Sequence, residues 1–268
     1  MVRRDAYLLA GPTASGKSAA AALLARRMGA AILSADSMLV YAGMDVGTAK
    51  PSHEERAEFD MGGVDLVTPA EHFSSGAWLR AAARWLAAVP AGRPVVIVGG
   101  TGLYFSALLR GLDRKWVQPP PEYPVLQPDR AVLHARIAAR LDEMLADGAW
   151  LDEVRRLQLE YPVWSDTAQV AIGYRELVGF IKDAKDFDTK DIEAVKDLNG
   201  FNAVRERILA RTRQLAKRQM TWFRHQAMPL YVPVGENAED TTVNVWRTWR
   251  EKGPWQVCLP EEGERNAS

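Results

Sequence analysis

The stretch Ala10–Ser18, with the sequence AGPTASGKS, decides how this chain folds. Gly11, Gly16, Lys17 and Ser18 fit the phosphate-binding pattern G-x-x-x-x-G-K-[ST]. Four apolar residues before the stretch predict a buried strand, and the alanine-rich run after it predicts a helix. Glycines let backbone N–H groups close around a phosphate, and the start of a helix adds a favourable dipole. The stretch therefore predicts a phosphate-binding loop, with Lys17 against phosphate oxygens and the Ser18 hydroxyl on Mg²⁺.

The composition indicates a soluble globular protein with one large domain, alone or with a small appendage. Of the 268 residues, 47% are hydrophobic and 25% are charged, and the formal net charge is zero. Overall charge therefore gives no indication of a nucleic-acid partner. Cys258 is the single cysteine, which excludes a disulfide framework or a zinc site within one chain. No apolar run is long enough to cross a membrane. We expect a cytoplasmic monomer with no membrane partner.

Two further strands are predicted to end at a ligand site. Ala30–Leu33 predicts a short buried strand just before Asp36, and Pro94–Val98 predicts a strand before the glycine-rich turn that contains Thr101. In open parallel α/β sheets, ligands bind at the carboxyl ends of the strands. We therefore expect Asp36 and Thr101 to face the same crevice as the phosphate loop. The predicted fold is α/β, with a P-loop parallel sheet flanked by helices in residues 1–111.

The second half of the chain predicts a C-terminal helical lobe. Residues 112–128 form a proline-rich connector, in which no regular structure is expected because five of the fifteen prolines lie at 115–128. A lobe that packs back on the core is predicted at 129–226, with helices at 131–146, 150–159, 167–182 and 202–226 and an exposed loop with a short helix at 182–199. The segment 227–260 holds a last strand at 229–233, and residues 261–268 predict a disordered tail.

Several separate blocks carry a family resemblance. In order, they are Gly11–Ser18, Ser34–Met38, Val40–Tyr41, Gly43–Asp45, Gly47–Pro51, Val98–Tyr104, Asp129–Arg130, Ala171–Glu176 and Thr212–Gln219. This series resembles the tRNA dimethylallyltransferase (isopentenyl-tRNA transferase) family over nearly the whole chain. The resemblance implies transfer of a dimethylallyl group from dimethylallyl diphosphate to N6 of an adenosine next to the anticodon, at position 37 of the tRNA. The phosphate loop would then hold the prenyl diphosphate rather than ATP.

The chemistry of the residues agrees with that activity. Breaking an allylic C–O bond places charge on the departing diphosphate, which Lys17, Mg²⁺ on Ser18 and the loop amides would stabilise. The exocyclic amine of adenine is a poor nucleophile, so a carboxylate must orient it or take its proton, and Asp36 is the candidate general base. The alternative role for Asp36 is to bind Mg²⁺ indirectly, through a water molecule. Thr101 and Lys17 are the other predicted catalytic residues, and a helix N-cap is the alternative for Thr101.

The resemblance also implies binding residues. The diphosphate would contact Gly11, Pro12, Thr13, Ala14, Ser15, Gly16, Lys17, Ser18, Arg130 and Arg213. The tRNA would contact Asp36, Ser37, Met38, Leu39, Thr101, Ile172, Gly173, Tyr174, Arg175, Arg211, Lys217 and Arg218. A flipped-out target base is expected, because a stacked base cannot reach a buried loop. The alternatives are a solvated helix-start arginine for Arg130 and a tight turn with a core tyrosine for Gly173 and Tyr174.

The long predicted helix supplies a basic face. Residues 205–224 hold seven cations against one anion, although the chain as a whole is neutral. This imbalance favours contact with the phosphates of tRNA or of the diphosphate. A solvated basic face is the alternative.

Three features depart from the family pattern. The helical insertion that grips the anticodon stem-loop in the family is replaced by the short connector. Leu39 stands where the family has glutamine, and leucine cannot read a base edge by hydrogen bonds. The paired histidines of the family are absent from Met61–Val67, although Asp65 is kept.

These departures leave other functions open. The alternative acceptor is a free adenine nucleotide (AMP, ADP or ATP), as in the related adenylate isopentenyltransferases. A small-molecule or nucleotide kinase is compatible with the phosphate loop alone. A non-catalytic RNA-binding remnant is the alternative of another class, and the presence of Asp36 and Lys17 disfavours it.

Overall fold

The computed structural model describes residues 2–110, 121–184, 192–197, 200–226 and 229–259. Its strands are β1 (Val2–Ala10), β2 (Ala31–Ala35), β3 (Val95–Gly99), β4 (Tyr123–Gln127), β5 (Pro229–Pro233) and β6 (Trp255–Leu259). They form one sheet in the order β2-β3-β1-β4-β5, in which neighbouring strands are parallel, and β6 pairs with β1 in antiparallel orientation. The predicted α/β fold with a parallel sheet is confirmed.

The helices flank this sheet and build the lobe. They are α1 (Lys17–Met28), α2 (His53–Glu58), α3 (Ser75–Ala88), α4 (Gly102–Arg110), α5 (Arg130–Met144), α6 (Ala149–Glu160), α7 (Asp166–Gln169), α8 (Tyr174–Ala184), α9 (Ile192–Asp197), α10 (Phe201–Arg224) and α11 (Ala238–Lys252). None of the helices in the described ranges is both long and apolar enough to span a membrane.

The sheet is covered on both faces. Every residue of β2 and β3 is buried, which is typical of parallel strands with helices on each side. One face packs against α1 and α11 through Leu24 and Trp249, and the other packs against α3 and α4 through Trp78 and Phe105. The helical lobe continues this second core through α5, α6, α8 and α10. The carboxyl ends of the parallel strands therefore face the lobe at one edge of the sheet.

The predicted connector is wrong at its C-terminal end. Instead of an irregular segment up to residue 128, β4 is a strand of the sheet between β1 and β5. Tyr123, Val125 and Leu126 are almost completely buried, and the burial of these side chains outweighs the low strand propensity of Pro124. Residues 111–120 lie outside the described part of the chain.

The end of the chain also differs from the prediction. The strand at 229–233 is confirmed as β5, but it is not the last, because α11 and β6 follow it. Trp249 of α11 is buried on the sheet, where its Nε1 donates a hydrogen bond to the Leu8 carbonyl at 3.0 Å. The predicted tail at 261–268 is outside the described residues.

The lobe matches most of the predicted helices. The helices α5, α6 and α10 begin and end within two residues of the predicted bounds. The predicted helix at 167–182 is instead two helices, α7 and α8, which meet at a turn. Gly173 has a φ of 94° in that turn, a left-handed conformation that interrupts an α-helix. The short helix expected within 182–199 is α9, and residues 185–191, 198 and 199 are not described.

Candidate active site

The phosphate loop joins β1 to α1 as its sequence predicts. Gly16 has a φ of 87° immediately before α1, so this position needs a residue that tolerates the left-handed region. Ser15 N donates to the Pro12 carbonyl at 3.3 Å, which closes the turn. The Ser15 hydroxyl is buried and has no hydrogen-bond partner in the described structure. The loop therefore presents free polar groups at the start of a helix, as a phosphate site requires.

Lys17 is buried beneath this loop. Its Nζ donates to the Pro12 carbonyl at 3.2 Å, and the residue is 9% exposed. Burial lowers the pKa of Lys17 from 10.5 to about 8, an effect that Asp36 opposes and Arg140 reinforces. A lysine held in this way gains favourable interaction when an anion binds beside it.

Two residues that sequence reasoning missed hold the loop from outside. Arg140 of α5 donates through Nη2 to the Thr13 hydroxyl at 2.8 Å. Gln219 of α10 accepts from Thr13 N at 2.8 Å and donates to the Gly100 carbonyl at 3.1 Å. The phosphate loop is thus tied to the turn after β3 by one side chain. Gln219 lies within a block that carried the family resemblance, but no local pattern indicated this contact.

Arg130 is not placed with the loop. It is the exposed first residue of α5, and its neighbour Asp129 caps that helix by accepting from Ala131 N at 2.8 Å. This placement fits the alternative of a solvated helix-start arginine. The cations of α5 that approach the loop are Arg140 and Arg136, whose Nη1 lies 3.8 Å from where a Cβ on Gly16 would sit. Their spacing of four residues, one helical turn, is the sequence signal that could have identified them.

Asp36 follows β2 and Thr101 follows the neighbouring strand β3. The side chain of Thr101 contacts the turn that contains Asp36. The Thr101 hydroxyl accepts from Ser37 N at 2.9 Å and lies 3.2 Å from the Ser37 hydroxyl. One oxygen of Asp36 accepts from Met38 N at 2.9 Å, which fixes the carboxylate in a turn after β2. The structure therefore brings Asp36, Ser37 and Thr101 together, as predicted, and uses Thr101 to orient the loop after β2.

These residues border a cavity of about 720 Å³ between the sheet and the lobe. Its lining includes the predicted residues Thr13, Asp36, Ser37, Met38, Thr101, Ile172, Tyr174, Arg211 and Arg218. Asp36 is the one carboxylate among the described lining residues. Leu103, Leu141, Ile208 and Leu215 make another part of the wall apolar, so the cavity can hold a hydrocarbon chain beside polar groups.

Several predicted contact residues are absent from the described lining of this cavity. They are Gly11, Pro12, Ala14, Ser15, Gly16, Lys17, Ser18, Leu39, Arg130, Gly173, Arg175, Arg213 and Lys217. The loop residues among them adjoin the cavity through Thr13. Leu39 is half-buried, and its carbonyl accepts from Asp65 N at 3.0 Å. Arg213 is half-buried with its Nε unpaired in the described structure, so its predicted contact with the diphosphate stays a prediction.

The turn before α8 fits the alternative interpretation of Gly173 and Tyr174, which is a tight turn with a core tyrosine. Tyr174 is completely buried and donates its hydroxyl to Glu153 at 2.6 Å. Gly173 is also buried, and its N–H donates to Glu176 at 2.7 Å. Arg211 forms an ion pair with the same Glu176. Tyr174 therefore has a core role and borders the cavity, whereas Arg175 points outward from an exposed position.

Only part of the basic helix is free to bind an anion. Arg205 pairs with Asp142 at 2.7 Å and with Glu206 at 2.6 Å, which neutralises its charge locally. Lys217 and Arg218 are exposed, and the described residues form no ion pair with them. Arg211 is also paired, with Glu176, so the exposed cations of α10 that have no ion pair among the described residues are Arg207, Lys217, Arg218 and Arg224.

The residues fit a Mg²⁺ site of the kind that substrate phosphates complete. The described residues contain no cluster of three or more His, Cys, Asp or Glu side chains that could hold a metal ion. Ser18 is exposed in the first turn of α1, and Asp36 supplies the single carboxylate of the cavity. Mg²⁺ is commonly held by one or two protein oxygens, water and phosphate oxygens, so this small donor set is sufficient.

Comparison with protein families and curated proteins identifies relatives of this chain. A family model described as IPP transferase matches residues 39–124 and 115–226, and one described as isopentenyl transferase matches residues 4–60. The tRNA dimethylallyltransferase of Burkholderia thailandensis is 35% identical over 317 positions, covering 90% of this chain and 92% of that protein. The enzyme of the same name from Burkholderia mallei is 33% identical over 316 positions. Because these alignments are longer than the 268 residues of this chain, the relatives contain segments that it lacks.

Solved structures share the fold. The tRNA isopentenylpyrophosphate transferase of Bacillus halodurans superposes with a TM-score of 0.77 at 23% identity, over 93% of this chain and 96% of that one. A eukaryotic dimethylallyltransferase acting on tRNA superposes with a TM-score of 0.71 at 18% identity, over 98% and 82%. The IPP transferase model spans more than half of the chain, and the curated relatives exceed 30% identity over nine tenths of it. The chain therefore belongs to the IPP transferase family, as its resemblance to the tRNA dimethylallyltransferases implied.

Proposed function

We propose that this protein transfers a dimethylallyl group from dimethylallyl diphosphate to N6 of an adenosine next to the anticodon of tRNA, at position 37. The observation that carries the proposal is the arrangement of charge around one cavity. Asp36 is the single carboxylate in the described lining, and its charge acts on both Lys17 and Arg140 at the phosphate loop. A base for the acceptor and cations for the leaving group thus lie around the same space.

The cations at the loop suit the departure of a diphosphate. As the allylic C–O bond breaks, both electrons of the bond stay with the diphosphate oxygen. Lys17, Arg140 and the loop amides would stabilise this negative charge, and burial strengthens their effect because water screens it less. Burial lowers the pKa of Arg140 as well, so both cations gain by binding an anion.

The carboxylate suits the acceptor. The N6 lone pair forms the new bond to the allylic carbon, and the N6 proton must leave in the same reaction. Asp36, held by Met38 N, would orient the amine and accept that proton. Leu103, Leu141 and Leu215 would contact the dimethylallyl chain and keep water from the reactive carbon.

The metal would bind at the diphosphate end. The Ser18 hydroxyl would hold Mg²⁺ together with diphosphate oxygens. When bound, the ion would neutralise the charge that develops on the leaving group. The alternative role of Asp36, which is to bind Mg²⁺ through a water molecule, stays compatible with this arrangement.

A free adenine nucleotide is the second candidate acceptor. Two observations favour it: the relatives contain segments that this chain lacks, and Leu39 replaces a residue type that could read a base. Two observations favour tRNA: exposed Lys217 and Arg218 lie beside the cavity, and the curated relatives are named for tRNA. We therefore propose tRNA as the partner, with a cytoplasmic location and a monomeric state as accompanying proposals.

The decisive experiment measures transfer to each acceptor. Purified protein is incubated with labelled dimethylallyl diphosphate, Mg²⁺, and either a tRNA with adenosine at position 37 or AMP, and nucleosides are identified by mass spectrometry. We expect dimethylallyladenosine from tRNA. Asp36→Asn can keep the hydrogen bond from Met38 N and should lose transfer, whereas Asp240→Asn, at an exposed position of α11, is the matched control. Label on AMP alone would establish the second candidate, and label on neither would overturn both.

A further inference from the structure

The cavity has two backbone walls that come from different parts of the fold. One is the loop after Met44, which contributes Gly47 and Thr48 to the lining. The other is the turn before α8, which contributes Val170, Ala171 and Ile172. The first belongs to the sheet domain and the second to the helical lobe, so the distance between them sets the width of the cavity beside Ile172, one of the predicted tRNA contacts. This part of the cavity is called the acceptor side.

A buried carboxylate on α6 joins the two walls. Glu153 is 7% exposed, and one of its oxygens accepts from Asp45 N at 2.9 Å and Val46 N at 2.8 Å. Its other oxygen accepts from the Tyr174 hydroxyl at 2.6 Å. A single side chain therefore accepts hydrogen bonds from the loop on one side and from the start of α8 on the other.

The side chain one turn earlier on α6 fills the same gap. Trp150 is 1% exposed, and its indole packs with the Nε1 edge against Gly47 and with the outer edge of the six-membered ring against Gly173. A Cβ on either glycine would overlap the indole, so the indole occupies the space between the two walls. Trp150 keeps the walls apart, and Glu153 keeps them from separating.

We propose that Glu153 is a positioning residue that fixes the acceptor side of the cavity by holding residues 45–48 at a set distance from the turn before α8. This inference rests on the proposed transfer to adenosine. Glu153 is absent from the described lining of the cavity, so it acts through Gly47, Thr48 and Tyr174 rather than by touching the substrate. A misplacement of about 1 Å in a catalytic geometry can lower a rate about 100-fold.

The loop has a second anchor that is independent of α6. Lys50 is buried, and its Nζ contacts Asp45 at 2.6 Å, Asp65 at 2.6 Å and the Tyr41 carbonyl at 2.7 Å. These partners all belong to the sheet domain, so they would keep the loop folded when Glu153 is lost. The loss should therefore change the position of the loop relative to the lobe more than its folding.

The diphosphate half of the site uses other contacts. The phosphate loop is held by Arg140 and Gln219, neither of which shares a hydrogen bond with Glu153. If Glu153 positions the acceptor side alone, its loss should weaken acceptor binding but not diphosphate binding. A general structural role predicts that they weaken together.

Three variants test the proposal. Glu153→Leu removes both links and leaves three donors without this acceptor: Asp45 N, Val46 N and the buried Tyr174 hydroxyl. Glu153→Gln keeps an amide oxygen for Asp45 N and Val46 N and can donate to the Tyr174 oxygen. Tyr174→Phe removes the link from Glu153 to the lobe, together with the interaction of the Tyr174 hydroxyl with the Gly47 backbone, and is the test to use if Glu153→Leu does not fold. Circular dichroism and thermal unfolding establish that each variant is folded.

The measurements are the KM and Kd for tRNA and the Kd for inorganic pyrophosphate. For Glu153→Leu we expect the tRNA constants to rise by about tenfold, with pyrophosphate affinity within about twofold of the wild type. Tyr174→Phe should show a smaller rise, and Glu153→Gln should restore nearly wild-type values. Unchanged tRNA constants in Glu153→Leu, or an equal loss of pyrophosphate affinity, would overturn the inference. If the wild type transfers no label, the proposed function fails, and the two Kd values still decide the role of Glu153.

Discussion

Replacing Lys17 by methionine should stabilise the ligand-free protein while removing its diphosphate site. Burial lowers the pKa of Lys17 from 10.5 to about 8, so below pH 8 the folded protein keeps a charge in an unfavourable place. Each pKa unit corresponds to about 1.4 kcal/mol, and the lowered pKa therefore reduces the free energy of unfolding by about 3 kcal/mol at pH 7. The lost hydrogen bond to the Pro12 carbonyl subtracts about 1 kcal/mol from the gain.

The sign of the pH dependence follows from the same pKa. Because the folded-state pKa lies below the unfolded value, the unfolded chain binds more protons between pH 8 and 10.5. The free energy of unfolding of the wild type should therefore rise through this window. Lys17→Met should lack this rise, and its advantage should be largest below pH 8 and vanish near pH 10.5.

Thermal unfolding at pH 7 and pH 9.5, with and without inorganic pyrophosphate, measures these effects. For a net gain of about 2 kcal/mol, we expect the Tm of ligand-free Lys17→Met to exceed that of the wild type by about 5 °C at pH 7. Pyrophosphate should raise the Tm of the wild type but not that of the variant. Lys182→Met, at an exposed position on α8, is the matched control and should change little. A lower Tm for Lys17→Met at pH 7, or an undiminished response of its Tm to pyrophosphate, would contradict this prediction.

Three further predictions concern the two ends of the site. Asp36→Asn should lower transfer by at least about 100-fold and leave pyrophosphate affinity within a few-fold, as rate and calorimetric measurements can check; equal loss of both would favour a metal-ligand role. Arg140→Gln removes a half-buried cation that contacts the phosphate loop, so pyrophosphate affinity should fall by about tenfold in calorimetry; an unchanged affinity would count against a role of Arg140 in diphosphate binding. Joint replacement of Lys217 and Arg218 by glutamine should flatten the salt dependence of tRNA binding by about one unit of slope per lost phosphate contact. Arg250→Gln on α11 is the control, and an unaltered slope in the double variant would place the tRNA elsewhere.

The residues that function through local geometry could be predicted from the sequence. The phosphate loop needs a left-handed residue just before a helix, and Gly16 provides it at a φ of 87°. Asp36 and Thr101 follow apolar runs that predict buried strands, and parallel strands end at the same edge of the sheet. The apolar runs and the helices that follow them are local patterns, so these placements could be predicted without a structure.

The predictions that failed depend on contacts between distant segments. The strand β4 was hidden by prolines, because its stability comes from burial between β1 and β5 rather than from local propensity. The predicted role of Arg130 stays a prediction, whereas the contacts of Arg140 and Arg136 with the phosphate loop were missed because they depend on how α5 packs against the loop.

The donor end of the site, with its phosphate loop and carboxylate, and the family of the chain could be inferred from the sequence alone. The support of that loop and the construction of the acceptor side depend on how distant elements pack. Thr13 N bonds to Gln219 across 206 positions of sequence, and Glu153 reaches Val46 across 107. A short sequence pattern specifies backbone angles and which face of an element is apolar, but pairings over such separations are fixed only when whole elements pack together.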